Sequence, residues 1–167
     1  LQRDQMAIDD LTAALQGDRM QGFALVDRGT IYLRQGMFEK ASKDFGNAVR
    51  IDNRHGEAYR AIAWMMATCT DVRYRDTERA VAFAEKAISL NRDADYRFID
   101  TLAAALANSE QFGKAVEQQR RAIELAADTV TDVELESLNQ RLTLYQQHTP
   151  HRQQLIAERA SQGGRVR

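Results

Sequence analysis

One proline, Pro150, and one cysteine, Cys69, stand in a chain of 167 residues. Scarce proline removes the strongest interruption of a helix, and a lone cysteine excludes an intrachain disulfide framework. Neither sign of charge is in excess, with 23 lysines and arginines against 24 aspartates and glutamates. No net field therefore draws the chain to nucleic acid or an anionic bilayer, and nucleic acid is not expected as a partner. No apolar run approaches the roughly 20 residues that span a bilayer, and no charged-then-apolar leader precedes Leu1. Compartment stays open between the cytoplasm and an exported location after removal of a leader.

Catalytic patterns are missing as well. There is no glycine-rich phosphate loop, no Gly-Lys-Ser or Gly-Lys-Thr, and no Gly-x-Ser-x-Gly elbow; the pair Gly163-Gly164 falls in the tail. The histidines, His55, His148 and His151, all lie in expected turns, where no serine or cysteine is set beside a base and an orienting acid. Cys69 is read as a small buried hydrophobe at a helix end. His148-Thr-Pro-His151 lacks a third acidic or thiol ligand nearby, so no metal site is expected. The chain is read as a non-enzyme without cofactors.

What is present suits helices. The sequence is 44% hydrophobic and 28% charged, and its Ala, Leu, Gln, Glu and Arg lose little rotamer freedom in a helix. The expected class is all-α. Between Gly22 and His55, Leu25, Gly29, Tyr32, Gly36, Phe38, Ala41, Phe45, Ala48 and Ile51 recur at helical spacing. Small side chains at Gly29, Ala41 and Ala48 let two antiparallel helices approach where the large Leu25, Tyr32 and Phe45 fill the facing gaps.

Counted from Gly22 as the first position, the segment resembles the tetratricopeptide consensus: a large residue at position four, Gly at eight, Tyr at eleven, Ala at twenty, Phe at twenty-four and Ala at twenty-seven. The resemblance covers about Gln5 to Tyr145 and implies a right-handed α-solenoid of antiparallel helix pairs that binds other polypeptides. Ala63-Trp-Met-Met-Ala-Thr-Cys69, Tyr74-Arg-Asp76, Arg79-Ala-Val81, Asp100-Thr-Leu-Ala103 and Arg141-Leu-Thr-Leu-Tyr145 are similar to a bacterial subgroup with an enlarged turn inside the repeat.

Residues 1–148 are expected to form the repeat domain. Within it, 1–17 read as the second helix of a truncated repeat, 22–55 as a repeat, 56–95 as a repeat with an enlarged turn, 96–130 as a third repeat, and 131–148 as a capping helix with its stripe at Leu135, Leu138, Leu142 and Tyr145. Gln119 replaces the usual aromatic and predicts a weaker contact. Residues 149–167 read as a short helix, Arg152 to Arg159, and a flexible basic tail. The opening helix leaves Ile8, Leu11 and Leu15 partly uncovered, which predicts self-association through the N-terminal end.

The resemblance also implies a groove lined by the first helix of each pair, at repeat positions two, five, nine and twelve. Those positions hold Phe23, Val26, Thr30 and Leu33, then Glu57, Arg60, Trp64 and Ala67, then Arg97, Asp100, Ala104 and Ala107. Trp64 and Arg60, one turn apart, are the first-choice contacts, because Trp and Arg are enriched among residues that dominate interface energy. The bland account packs Trp64 inward and pairs Arg60 with Glu57 or Asp100; Asp100 would then pair with Arg60 or Arg97. Relatives that grip a terminal carboxylate use Lys and Asn where this chain has Val26 and Thr30, so that activity is disfavoured. Tyr74 of the enlarged turn is expected to dock on its own repeat, and Asp76 to cap the helix starting near Thr77. The expected function is a scaffold holding a partner's peptide or helix; the alternatives are a structural or oligomerisation segment of a longer repeat protein and an accessory domain beside a catalytic or sensor domain.

Overall fold

A computed structural model describes residues 2–15, 21–91 and 95–155. The described residues form α-helices and one short 3₁₀ turn, with no strand. The helices are α1 (Gln2–Ala14), α2 (Gln21–Arg34), α3 (Phe38–Ile51), α4 (Gly56–Thr68), α5 (Thr77–Leu90), α6 (Tyr96–Asn108), α7 (Phe112–Ala126) and α8 (Asp132–Gln146), with the 3₁₀ turn at Val72–Tyr74 between α4 and α5. α2 pairs with α3, α4 with α5 and α6 with α7, while α2, α4 and α6 also meet one another in sequence order. This is a solenoid of helix pairs with the first helices forming one layer.

Small residues set the close approaches. Ala41, Ala48, Ala63, Ala80, Ala87, Ala103, Ala115 and Ala122 are fully inaccessible. Gly29 is the tightest point, since a Cβ built there would lie 2.5 Å from Cε1 of Phe45. Cys69 is buried, and burial pushes its thiol up from the ordinary range.

Local chemistry fixes the helix starts. Asp76 caps α5 by accepting from the Arg79 amide at 3.0 Å, as its position suggested; Asp95 and Thr131 cap α6 and α8 similarly. Tyr74 packs against the core shared by α2, α3 and its own repeat's α4, and its ring lies 5.7 Å from that of Phe38 at the start of α3, so the enlarged turn reaches the preceding pair as well as its own.

α1 packs along α2, with Arg28 donating to Thr12 at 2.9 Å and Arg34 3.6 Å from Asp4. Ile8 is buried, and Leu11 and Leu15 are half-buried, so much of the apolar face expected to be uncovered lies against α2.

α8 packs on α7, with Leu138 and Tyr145 fully buried. Gln119 overturns the expectation of a weak contact. It is inaccessible and donates to Asp100 Oδ1 at 2.9 Å and to the Leu138 carbonyl at 3.2 Å, tying α7 to α6 and α8. A polar side chain replaces the aromatic because a buried carboxylate sits opposite it.

Three helices end alike. α2, α6 and α8 close with a residue in the left-handed region, Gly36 (φ 77°), Glu110 (φ 61°) and His148 (φ 55°). The next amide in each case, Met37, Gln111 or Thr149, donates back to Tyr32, Leu106 or Leu144 at 2.9 Å. After the first two reversals a second helix begins at Phe38 or Phe112. After the third comes Pro150, and residues 150–155 are not helical. The short helix expected from Arg152 therefore does not form over 152–155, and the rest of that expectation lies outside the described residues.

Candidate functional site: a groove holding the chain's own C-terminal segment

The first helices enclose an open cavity of about 660 Å³. Its wall includes Thr30 and Leu33 of α2, Arg60 and Trp64 of α4, Tyr96, Arg97 and Asp100 of α6, and Arg141 and Leu144 of α8. Pro150 to Gln154 run along it. The groove thus brings together six of the twelve residues read from the sequence and leaves out the other six. Val26 is buried in the core shared by α2, α3 and α4, and Phe23, although exposed, lies against His55, the two rings tilted by 56° with 4.4 Å between centroids. Glu57 stands outside the wall and works on its cations: Arg60 donates to it at 2.6 Å, and the Arg97 guanidinium forms an ion pair with it at 3.0 Å. Ala67, Ala104 and Ala107 are buried packing residues.

Asp100 also corrects the sequence reading. Its partner is Arg141 of α8, at 2.7 Å, and neither Arg60 nor Arg97. Arg97 is engaged by Asp95 at 2.6 Å as well as by Glu57. The Tyr145 hydroxyl, buried without a protein partner, is pushed up by burial and by the nearby Asp100 charge. Arg141 and the whole α8 wall were missed from sequence, because α8 was read as a cap only.

Trp64 is the centre of the site. Its indole carries Arg141 5.6 Å from the ring centroid and the His151 ring at 5.7 Å. The indole Nε1–H donates to Gln153 Oε1 at 2.9 Å. The remaining contacts fall on the end of α4, where the last four carbonyls of a helix lack intrahelical donors. The enlarged turn begins there with Cys69 extended (ψ 135°) and no reversal like those of α2, α6 and α8. Met65 O accepts from the Cys69 amide and Met66 O from the Asp76 amide. Ala67 O and Thr68 O are left, and the C-terminal segment supplies both donors, Arg152 Nη1 at 3.0 Å and the Gln153 amide at 2.9 Å. A guanidinium also suits the negative end of the helix dipole. Leu155 lies over Gly36, where an added Cβ would be 3.2 Å from its Cδ1.

His148 and His151 do not converge. His148 stacks on Phe112 at 5.0 Å, His151 turns to Trp64, and no cluster able to hold a metal ion occurs among the described residues.

Burial lowers the His151 pKa to about 4, aided by Arg141 and Arg152 and opposed by Asp100. These are the charges facing the ring from α8, its own segment and α6. A docked His151 is neutral, whereas a released one takes up a proton near the ordinary histidine value of 6.5. Proton uptake therefore favours release. Docking is fully favoured above about pH 6.5 and weakens as pH falls toward about 4. Trp64 is the only tryptophan, so its emission should change across that window in the native chain. His151→Gln should flatten the change; an unaltered pH response in that variant would refute the assignment.

A family model described as tetratricopeptide repeat matches residues 24–55. No curated protein and no solved structure matches the chain. Repeats of this family generally mediate protein–protein interaction and are typically non-catalytic scaffolds, and no described helix is long and apolar enough to cross a membrane. The matched segment covers α3 and nearly all of α2, and the stacked pairs α4/α5 and α6/α7 repeat its architecture: the chain carries a tetratricopeptide repeat within a solenoid of helix pairs.

Proposed function

We propose that this protein is an interaction scaffold that binds an extended segment of a partner protein in the groove between α2, α4, α6 and α8. One observation carries the reading: a length of non-helical polypeptide, Pro150 to Gln154, already lines this groove, held by backbone and side-chain hydrogen bonds at Trp64 and the end of α4. A surface that satisfies one peptide's donors, acceptors and rings has the chemistry to satisfy another's. Trp64 presents an aromatic face and a donor together, the combination found at energetically dominant interface positions. Arg60 lines the same wall but is already engaged by Glu57, so its share is smaller.

Panning a random linear-peptide library against the full chain tests the reading. Binders are expected whose affinity falls by more than about 1 kcal/mol in Trp64→Ala, with the helical circular-dichroism spectrum retained. A library yielding only peptides indifferent to Trp64 would remove the groove as the binding site.

A further inference from the structure

We infer that the lane occupied by Pro150–Leu155 is the docking site for a partner peptide of the same pattern, an aromatic or imidazole ring followed by Arg, Gln, any residue and Leu, with the chain's own segment as its built-in competitor. The inference rests on the peptide-binding reading above and gives it a ligand class.

Each element of the pattern answers a feature of the groove. The ring at 151 covers Trp64. The arginine at 152 reaches Ala67 O. The residue at 153 gives its amide to Thr68 O and its side-chain oxygen to Trp64 Nε1, which asks for an uncharged side-chain acceptor of glutamine length. Residue 154 is exposed and unconstrained. Leu155 fits the space left by the missing side chain of Gly36. The acceptors at Ala67 and Thr68 exist because the enlarged turn leaves the end of α4 without the reversal that closes α2, α6 and α8.

The segment is built to be displaced. No residue beyond Tyr145 belongs to a core cluster among the described residues, so its release leaves every helix pair packed. Its attachment is nevertheless short. α8 reverses at His148, and only Thr149 separates that reversal from Pro150, so the segment faces the groove at a high effective concentration. A partner must overcome that occupancy, and its apparent affinity is reduced by the fraction of groove that is closed.

The test uses the full chain and a fluorescein-labelled peptide of residues 148–155, followed by anisotropy. In the double variant Arg152→Ala/Gln153→Ala the chain's own segment loses its two side-chain hydrogen bonds to the groove. The labelled peptide should then bind about tenfold or more tighter than to the wild-type chain. The Trp64 emission of the double variant should shift toward that of a solvated indole. Adding Trp64→Ala should abolish the gain, and a labelled peptide with the same two alanines should fail to bind. Equal binding by wild type and double variant, unchanged Trp64 emission, or a gain that survives Trp64→Ala would each overturn the inference. If library peptides still bind through Trp64 while the 148–155 peptide does not, the inference fails alone. If neither binds through Trp64, the peptide-binding reading fails with it.

Discussion

Asp100→Ala should lower the free energy of unfolding by about 3–5 kcal/mol, the usual consequence of removing one partner from a buried ion pair. Asp100 Oδ1 accepts from Arg141 of α8 and from Gln119 of α7, and itself belongs to α6. The pair is sheltered, with side-chain exposures of 15% for Arg141 and 9% for Asp100. Truncation would leave the Arg141 guanidinium in the interior without its acceptor and the Gln119 amide with the Leu138 carbonyl alone, and three helices would lose a shared fastening. Asp100→Asn should cost less, because one acceptor oxygen survives. Replacing Asp100, Gln119 and Arg141 together by Leu should be far milder than Asp100→Ala, since no stranded charge is left behind. Urea titrations of the three variants check the ordering; a loss below about 1 kcal/mol in Asp100→Ala would show that water reaches Arg141 and replaces the carboxylate.

The same network shows what the sequence could and could not disclose. Gly29, Ala41, Phe45 and Ala48 were legible because small and large residues at helical spacing mean the same thing in any helix pair, and a helix carries its period in consecutive residues. Asp76 was legible for a related reason: a cap binds an amide three residues away. Asp100 was not, since a buried acid takes whichever cation the fold delivers, and Arg141 arrives from 41 residues downstream. Val26 was misplaced because a position counted from a consensus fixes a helical face only to within a side chain, and here that side chain turns into the core. The docked segment left the faintest trace. Extended chain has no period, and the contact joining Trp64 to Gln153 spans 89 residues. Pro150 marked the break correctly, yet a break says nothing of where the chain goes next.

Phe45→Ala should also cost about 3–5 kcal/mol, the range for deleting a buried phenyl group. Phe45 is 1% exposed, and its ring edge fills the notch over Gly29 between α3 and α2. Gly29→Ala, in contrast, adds a methyl where the nearest ring carbon would stand at 2.5 Å and the next at 2.8 Å, both too close for any real carbon pair. The ring cannot slide away, because Ala41 and Ala48 beside it are already fully packed. Overpacking of this kind costs about 1–3 kcal/mol, more than the fraction of a kilocalorie that alanine gains over glycine in backbone entropy. The two substitutions act on one volume, so their effects should not add. In Gly29→Ala/Phe45→Ala the new methyl enters space vacated by the ring, and the clash that penalised Gly29→Ala alone has gone. The double variant should thus be no less stable than Phe45→Ala, and slightly more stable if the methyl fills part of the cavity. A double-mutant cycle by chemical denaturation measures the coupling. Additivity within about 0.3 kcal/mol would mean that Gly29 and Phe45 do not meet, and the small-against-large pairing that organises the first repeat would have to be assigned to other residues.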